Sequence, residues 1–308
     1  MSKLEANVSL FIITFFAAIQ YAFLSGVPAS VSYFAFLCIT NLIGFLIVLA
    51  IFFNELFRLD AKLIKQSAIL SIELFGFNLF ILLGAKNMDT TVTACVLSSY
   101  FVFVPPFSYL LFKQKPDRNS LIGIAIVLVG LFFMMNCNAR GLLKLHILYL
   151  IIADVFFAIY ILTAGNFTVG SNPSILALGQ LYFSFIFALI CWTVELIMKN
   201  ETMTLPQSPA FWGSVIFISF FIRSLYTVVQ IYAQRYVSAL NTSLIFSTEI
   251  IMTMAATPVL TKLFCMQTEE GNITAFRIIG AVIMVIGIPA SDSSVTDALF
   301  GNRRADHE

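Results

Sequence analysis

The chain has 308 residues, of which 60% are hydrophobic and 11% charged, with a net charge of +1 and a mean hydropathy of +0.96. This apolar surface exceeds what one soluble core can bury, and a near-neutral balance without a basic tract gives no indication of a nucleic-acid partner. Apolar runs of about 18 to 24 residues recur between short polar breaks, a rhythm typical of helices that cross a lipid bilayer.

These runs predict an all-α integral membrane protein with ten transmembrane helices. The first run has a spanning length and no cleavage pattern after it, so we expect a retained helix rather than a signal peptide. The segment 291–308 is expected to be a soluble C-terminal tail. In chain order the helices are predicted near residues 8–25, 31–53, 67–85, 91–112, 119–135, 145–165, 174–197, 211–231, 238–262 and 274–290.

The placement of charge predicts the orientation of these helices. Lysines and arginines are more frequent in the segments that share a side of the membrane with the N-terminus than in the opposite segments. By the positive-inside rule, both termini are expected in the cytoplasm.

The sequence lacks the residues that several kinds of functional site require. The sequence has no GxxxxGK[ST] phosphate loop, so ATP-driven pumping by this chain is not expected. The five cysteines occur singly, and the two histidines, His146 and His307, lie far apart. We therefore expect no disulfide framework, no metal centre and no cofactor.

An internal repeat relates helices three to five to helices eight to ten. A shift of 148 residues aligns Ser99 with Ser247 and Val102 with Ile250. The repeat predicts two five-helix units, residues 1–138 and 139–290. Because five is an odd number, the second unit enters the membrane with the opposite orientation, which is the inverted-repeat architecture of many secondary transporters.

Small residues and prolines predict how particular helices pack and bend. Pro105 and Pro106 remove backbone donors from the fourth helix, and Pro258 lies late in the ninth, so a kink or weak point is expected in both. Two glycine pairs with a spacing of seven lie on single helix faces, where they favour close helix packing. These pairs are Gly123 with Gly130 and Gly280 with Gly287.

Three stretches resemble a known family. They run from Thr90 to Phe112, from Asn119 to Phe133 and from Ala233 to Gly280. In these stretches the chain is similar to the two halves of the EamA domain, the ten-helix branch of the drug/metabolite transporter superfamily. The resemblance implies one EamA-like repeat in each half of the chain, a place in the bacterial inner membrane, and export of amino acids or other metabolites.

A polar stripe on the eighth helix is the main candidate for a solute site. Arg223, Tyr226, Thr227 and Gln230 recur at i, i+3, i+4 and i+7, so they are expected to share one helix face. An arginine near the bilayer centre costs from about 2.5 to more than 10 kcal/mol and persists only with a partner or water nearby. We therefore expect this stripe to line a cavity.

The ninth helix offers a partner for this arginine. Thr242 and Glu249 lie seven residues apart and nearly eclipsed. Glu249 and Arg223 together are expected to bind the charged ends of a zwitterionic or anionic solute, or Glu249 takes up a proton during exchange. The alternative is a buried ion pair that only fixes how the two helices pack.

Further polar residues at membrane depth complete the candidate site. Glu73 and Asp154 are proton-coupling candidates together with Glu249, since an unpaired carboxylate in this position is expected to be neutral; each of the two could instead be a neutral group bonded to a neighbouring helix. Five residues could wall a small polar pocket, or each could simply bond across helices. They are Gln20, Asn78, Tyr100, Tyr160 and Gln180.

The sequence thus favours a secondary transporter that exports or exchanges a small polar metabolite by alternating access. It is expected to act without enzymatic activity, and a homodimer is possible. A nucleotide-sugar carrier of an internal membrane is the alternative within transport, with glycan acceptor patterns at Asn200 and Asn272. A lipid-modifying membrane enzyme and a non-transporting partner subunit are the alternatives from other classes.

Overall fold

We analysed a computed structural model of the chain. It describes residues 1–24, 27–28, 30–85, 96–113, 115, 118–134, 145–199, 206, 208–264 and 274–290. The predicted tail 291–308 and the two glycan acceptor positions, Asn200 and Asn272, lie outside the described residues.

Ten helices run through the described part of the chain, as the apolar runs predict. Two of them change character along their length: α8 is α-helical at Pro209–Phe217, π-helical at Ile218–Tyr226 and α-helical again at Thr227–Ala233, and α9 has two segments, Ala239–Ser247 and Glu249–Phe264. The others are α1 Lys3–Leu24, α2 Tyr33–Phe52, α3 Ala61–Ala85, α4 Val104–Phe112, α5 Arg118–Met134, α6 Leu145–Val169, α7 Pro173–Lys199 and α10 Ala275–Ala290.

The helices have the dimensions and surface of a membrane protein. Seven spans within the described residues are long and apolar enough to cross a bilayer, and three shorter apolar helices occur at Tyr100–Phe112, Leu121–Phe133 and Ala275–Gly287. Large apolar side chains such as Ile279 and Ile286 are exposed, whereas polar ones such as Gln180 are fully buried. This distribution suits hydrocarbon outside and polar contacts inside, and it confirms the prediction of an all-α, multi-pass membrane protein.

Helix pairing joins the two halves of the chain along their whole length. The closest pairs are α5 with α10, α3 with α6, and α2 with α7. In addition, α3 packs on α7, α2 packs on α8, and α1 packs on α8 and on the second segment of α9. The core therefore lies between the halves, and it is formed by helices from both.

Polar contacts identify the helix ends that lie on the same face of the molecule. Asn172, between α6 and α7, donates from Nδ2 to Glu55 after α2 at 2.8 Å. At the opposite face, Ser32 before α2 donates to Glu195 near the end of α7. The helices α2 and α7 therefore run antiparallel to each other.

The regular helix is interrupted in α4 and α9. Residues 98–103 form a turn and a short 3-10 helix before α4 begins at Val104, and Pro105 and Pro106 occupy its first turn. A weak point at these prolines is thus confirmed. In α9 the interruption falls at Thr248, whereas Pro258 lies within the helical segment that follows, so the predicted weak point at Pro258 does not coincide with the break.

The predicted glycine contacts occur between α5 and α10. A Cβ added to Gly130 would lie 2.8 Å from the Gly280 carbonyl oxygen and 2.6 Å from Met284 Cγ. A Cβ on Gly287 would lie 2.9 Å from both Ile126 and Val127. The glycines therefore let the two helix backbones approach closely.

Gly130→Ala is expected to lower stability by about 1–3 kcal/mol, because the added methyl group meets backbone atoms of α10 that have no room to move. Gly213→Ala is the matched control, since a Cβ there meets nothing within 4 Å. The control should be neutral or more stable by up to about 1 kcal/mol. Thermal unfolding of both purified variants in detergent measures the difference, and equal stability would contradict the packing role.

Candidate solute site

Arg223 lies between α8 and α2, beside the middle of α2. Its Cβ is 2.6 Å from the position of a Cβ built on Gly44, so the arginine fits because residue 44 has no side chain. Helical side chains tilt toward the N-terminus, and Phe211 at the start of α8 packs against Phe36 of α2. The guanidinium therefore points toward Tyr33, the titratable group that interacts with it electrostatically.

Tyr33 connects this arginine to the third helix. Its hydroxyl donates to Asn78 Oδ1 at 3.4 Å, and Asn78 Nδ2 donates to the Leu74 carbonyl at 2.7 Å. Arg223 is half-buried, and its Nε is buried with no hydrogen-bond partner. We call Arg223, Tyr33 and Asn78 the outer cluster; it contains a guanidinium whose Nε–H donor the described protein leaves unused.

The predicted polar stripe on α8 does not lie on one face. The π-helical segment Ile218–Tyr226 has a wider turn than an α-helix, which changes the angle between successive side chains. Arg223 consequently faces α2, Tyr226 stacks on Phe246 of α9 at 5.3 Å, and Gln230 faces α6. A one-face stripe is therefore wrong, because the 3.6-residue period does not hold through this helix.

A second polar group surrounds the Tyr160 hydroxyl. Gln180 Nε2 of α7 donates to it at 3.0 Å, and the hydroxyl donates to Gln230 Oε1 of α8 at 3.4 Å. All three side chains are almost completely buried, and Gln230 Nε2 has no hydrogen-bond partner. We call Tyr160, Gln180 and Gln230 the inner cluster; a solute that accepts a hydrogen bond would satisfy its free amide.

The two buried carboxylates each accept a hydrogen bond from a hydroxyl of the other half of the chain. Thr163 of α6 donates to Glu73 of α3 at 2.5 Å, and Ser99, just before α4, donates to Asp154 Oδ2 of α6 at 2.8 Å. Asp154 Oδ1 is buried with no partner. These two hydrogen bonds therefore connect α6 to the first half of the chain at two levels along the helix.

The remaining predicted residues lie on α9, on α1 and in the segment before α4. Thr242 on α9 is fully buried and its hydroxyl has no hydrogen-bond partner. Tyr100 stacks edge-on against Phe157 at 4.7 Å. Glu249 is half-buried at the start of the second α9 segment, and Gln20 is half-buried near the end of α1.

The predicted partnership of Arg223 with Glu249 is not among the ion pairs of the described residues. Those pairs are Glu55 with Arg58 and Glu195 with Lys199, which lie near helix ends. Within the same residues, no group of three or more histidine, cysteine or acidic side chains could hold a metal ion.

Sequence reasoning missed three residues of this arrangement. Tyr33 and Thr163 are hydroxyls that contact Asn78 and Glu73, yet nothing in their spacing indicates the partner helix. Gln234 donates to the Ile161 carbonyl at 3.2 Å and leaves its Oε1 buried without a partner. Its position four residues after Gln230 on a helix was a signal that could have found it.

Comparisons with known proteins agree with this fold. Residues 5–136 match the sequence model of the EamA-like transporter family, which confirms the resemblance predicted from the sequence. An uncharacterized transporter of Archaeoglobus fulgidus is 23% identical over 205 residues, which cover 66% of this chain and 62% of that relative. The chain therefore spans less than two thirds of the length of this curated relative.

A solved crystal structure shares the fold over nearly the whole chain. The match covers 96% of this chain and 98% of the other, with a TM-score of 0.69 at 15% sequence identity. At this identity the likeness defines the fold alone. The fold and the family match over residues 5–136 agree with a multi-pass membrane protein whose N-terminal part is similar to EamA-like transporters.

Tyr160→Phe is expected to lower stability by about 1–3 kcal/mol, because it removes the hydroxyl that satisfies two buried amides. Tyr182→Phe is the control, since Tyr182 lies 43% exposed on the outside of α7 and its replacement should change stability by less than about 0.5 kcal/mol. Thermal unfolding in detergent distinguishes the two, and a neutral Tyr160→Phe would show that the inner cluster does not depend on this hydroxyl.

Proposed function

We propose that this chain is a secondary carrier that exports or exchanges an amino acid or a related small polar metabolite by alternating access. Its solute site lies between residues 1–138 and 139–290, two repeats of opposite orientation. The outer cluster binds the carboxylate of the solute, and the inner cluster binds its polar remainder.

The observation that carries this proposal is the state of Arg223. A guanidinium at membrane depth is retained only with a partner or with water, and here Nε is buried without one. A solute carboxylate supplies the missing acceptor, because its two oxygens match the fork of guanidinium donors. A single arginine suits one carboxylate better than the diphosphate of a nucleotide sugar, which favours the amino-acid class.

The pattern of helix pairing supports the two-repeat arrangement. If α1–α5 correspond to α6–α10, the contact of α3 with α7 corresponds to that of α8 with α2, and the contact of α3 with α6 corresponds to that of α8 with α1. Both members of each correspondence occur. The pairs α2 with α7 and α5 with α10 join equivalent helices directly, which is expected around a two-fold axis in the membrane plane.

The helix breaks support alternating access. The 3-10 turn at Tyr100–Val102 before α4 and the break at Thr248 in α9 are related by the same shift of 148 residues. Segments with few regular backbone hydrogen bonds bend at low cost. Equivalent weak points in the two repeats let each end of the solute path open in turn.

Arg223→Ala is expected to reduce saturable efflux of radiolabelled amino acids from proteoliposomes at least about tenfold, since a hydrogen bond to a charged group contributes about 1.5–3 kcal/mol. Arg223→Lys should retain part of the activity, because lysine keeps the charge but not the planar fork. The assay uses a mixture of labelled amino acids, so that no single solute is presupposed.

Arg235→Ala is the matched control, because Arg235 is exposed at the end of α8 and away from the outer cluster. Its efflux should equal that of the unmodified protein. Efflux by folded Arg223→Ala that equals the control would disprove the role of the outer cluster, and no efflux of any amino acid by the unmodified protein would disprove the solute class.

A further inference from the structure

The carboxyl group of Asp154 is buried in the contact region between the two halves of the chain, which we call the seam. Asp154 is 0% exposed, and Ser99 Oγ donates to its Oδ2 at 2.8 Å while Oδ1 is buried without a partner. Asp154 is the tenth residue of α6, about 14 Å from the start of that helix. A hydrogen bond between the halves therefore ends on a group that can gain or lose a proton.

Ser99 belongs to the segment that interrupts the fourth helix. The described backbone bonds of Ser99 span three residues, as in a turn or a 3-10 helix: Ser99 N donates to the Val96 carbonyl at 2.8 Å, and Val102 N donates to the Ser99 carbonyl at 2.9 Å. Pro105 and Pro106 then prevent two further backbone donations. Because few regular bonds fix this segment, its position against α6 depends on side-chain contacts, of which the bond to Asp154 is one.

No described cation neutralises Asp154, whose one recorded side-chain partner is Ser99. Among the titratable groups on helices packed against α6, Glu73 of α3 contacts α6 at Thr163. Thr163 lies nine residues, or about 14 Å, from Asp154 along the helix. Tyr100, in the segment before α4, contacts α6 at Phe157.

The other neighbours of α6 are α7, α8 and α9. On α7, Tyr182 is exposed, and Cys191, Glu195 and Lys199 lie near the end of the helix. The titratable groups of α8 and α9 face elsewhere or lie at the break. On α8, Arg223 is directed toward Tyr33 of α2, and Tyr226 stacks on Phe246. On α9, Glu249 begins the second segment. An ionised Asp154 would thus be a buried charge without a cationic partner among the described residues, which is strongly unfavourable.

Next to the corresponding position in the first half, α1 holds a polar side chain that cannot ionise. Asn7 precedes Asp154 by 147 residues, within one residue of the shift that relates Ser99 to Ser247. Asn7 Oδ1 is also buried without a partner, and α1 packs on α9 as α6 packs on the α4 region. The structure therefore accommodates a neutral amide next to one of the two corresponding positions and a carboxyl group at the other.

We infer that Asp154 binds the proton that drives transport, with Ser99 as the positioning residue that links its protonation to the break before α4. With the seam closed, the neutral acid stays buried. When the α4 segment moves and water enters, the Asp154 O–H bond breaks, the proton passes to water, and the carboxylate remains hydrated. The seam closes again only after Asp154 regains a proton, so each opening exchanges one proton.

This inference rests on the proposed carrier function and has a readout that needs no solute. In infrared difference spectra between acidic and alkaline buffer, the unmodified protein should show a carboxyl C=O band that Asp154→Asn lacks. In proteoliposomes, Asp154→Asn should lose amino-acid accumulation driven by a pH gradient, yet keep exchange of labelled for unlabelled solute. Asparagine has nearly the size of aspartate, and its Oδ1 can accept the bond from Ser99, so this variant is expected to fold.

Glu195→Gln is the matched control, because Glu195 also accepts a hydrogen bond from a hydroxyl across the halves, that of Ser32, but lies near the end of α7 beside Lys199; it should keep the drive by the pH gradient. Drive by the pH gradient that Asp154→Asn keeps at the level of this control would overturn the inference. If the unmodified protein moves no amino acid, the carrier function fails, and an infrared band that is unchanged in Asp154→Asn would then overturn proton binding as well.

Discussion

Hydrocarbon offers no hydrogen-bond partner, and the whole structure follows from this constraint. Each crossing segment must satisfy its own backbone, which leaves the helix as the available form. Polar side chains must then turn inward, toward other helices. In the described residues this is what occurs: Gln180, Gln230 and Asp154 are almost completely buried, whereas Ile279, Val285 and Ile286 are exposed.

The inward-turned polar groups concentrate on α6 and its neighbours. Tyr160 connects α6 to α7 and α8, while Thr163 and Asp154 connect it to the first half. A hydrogen bond between two buried groups is favourable only while both partners remain in place. The two halves are joined by such hydrogen bonds as well as by apolar packing. When the halves separate, water or a solute can replace these hydrogen-bond partners.

Some features of the candidate site could be predicted from the sequence because they follow from local chemistry. Pro105 and Pro106 disrupt the fourth helix whichever helices surround it. Gly130 and Gly280 favour close packing, but they do not indicate which helix is the partner. The α8 stripe was predicted incorrectly, because the π-helical turn at Ile218–Tyr226 breaks the regular period. Nothing in a run of apolar residues with interspersed serines indicates that one turn contains an extra residue.

The amino-acid sequence by itself determined the ten apolar helices of the described residues, which of them are weakened, and which residue types lie among the apolar ones. These properties depend on hydrophobicity and backbone chemistry within a few residues of each other along the chain. Only the tertiary structure decided that Arg223 faces Tyr33, that Gln230 meets Tyr160, and that Asp154 meets Ser99. Such partners are set by how helices rotate and pack, which depends on contacts between residues distant in sequence.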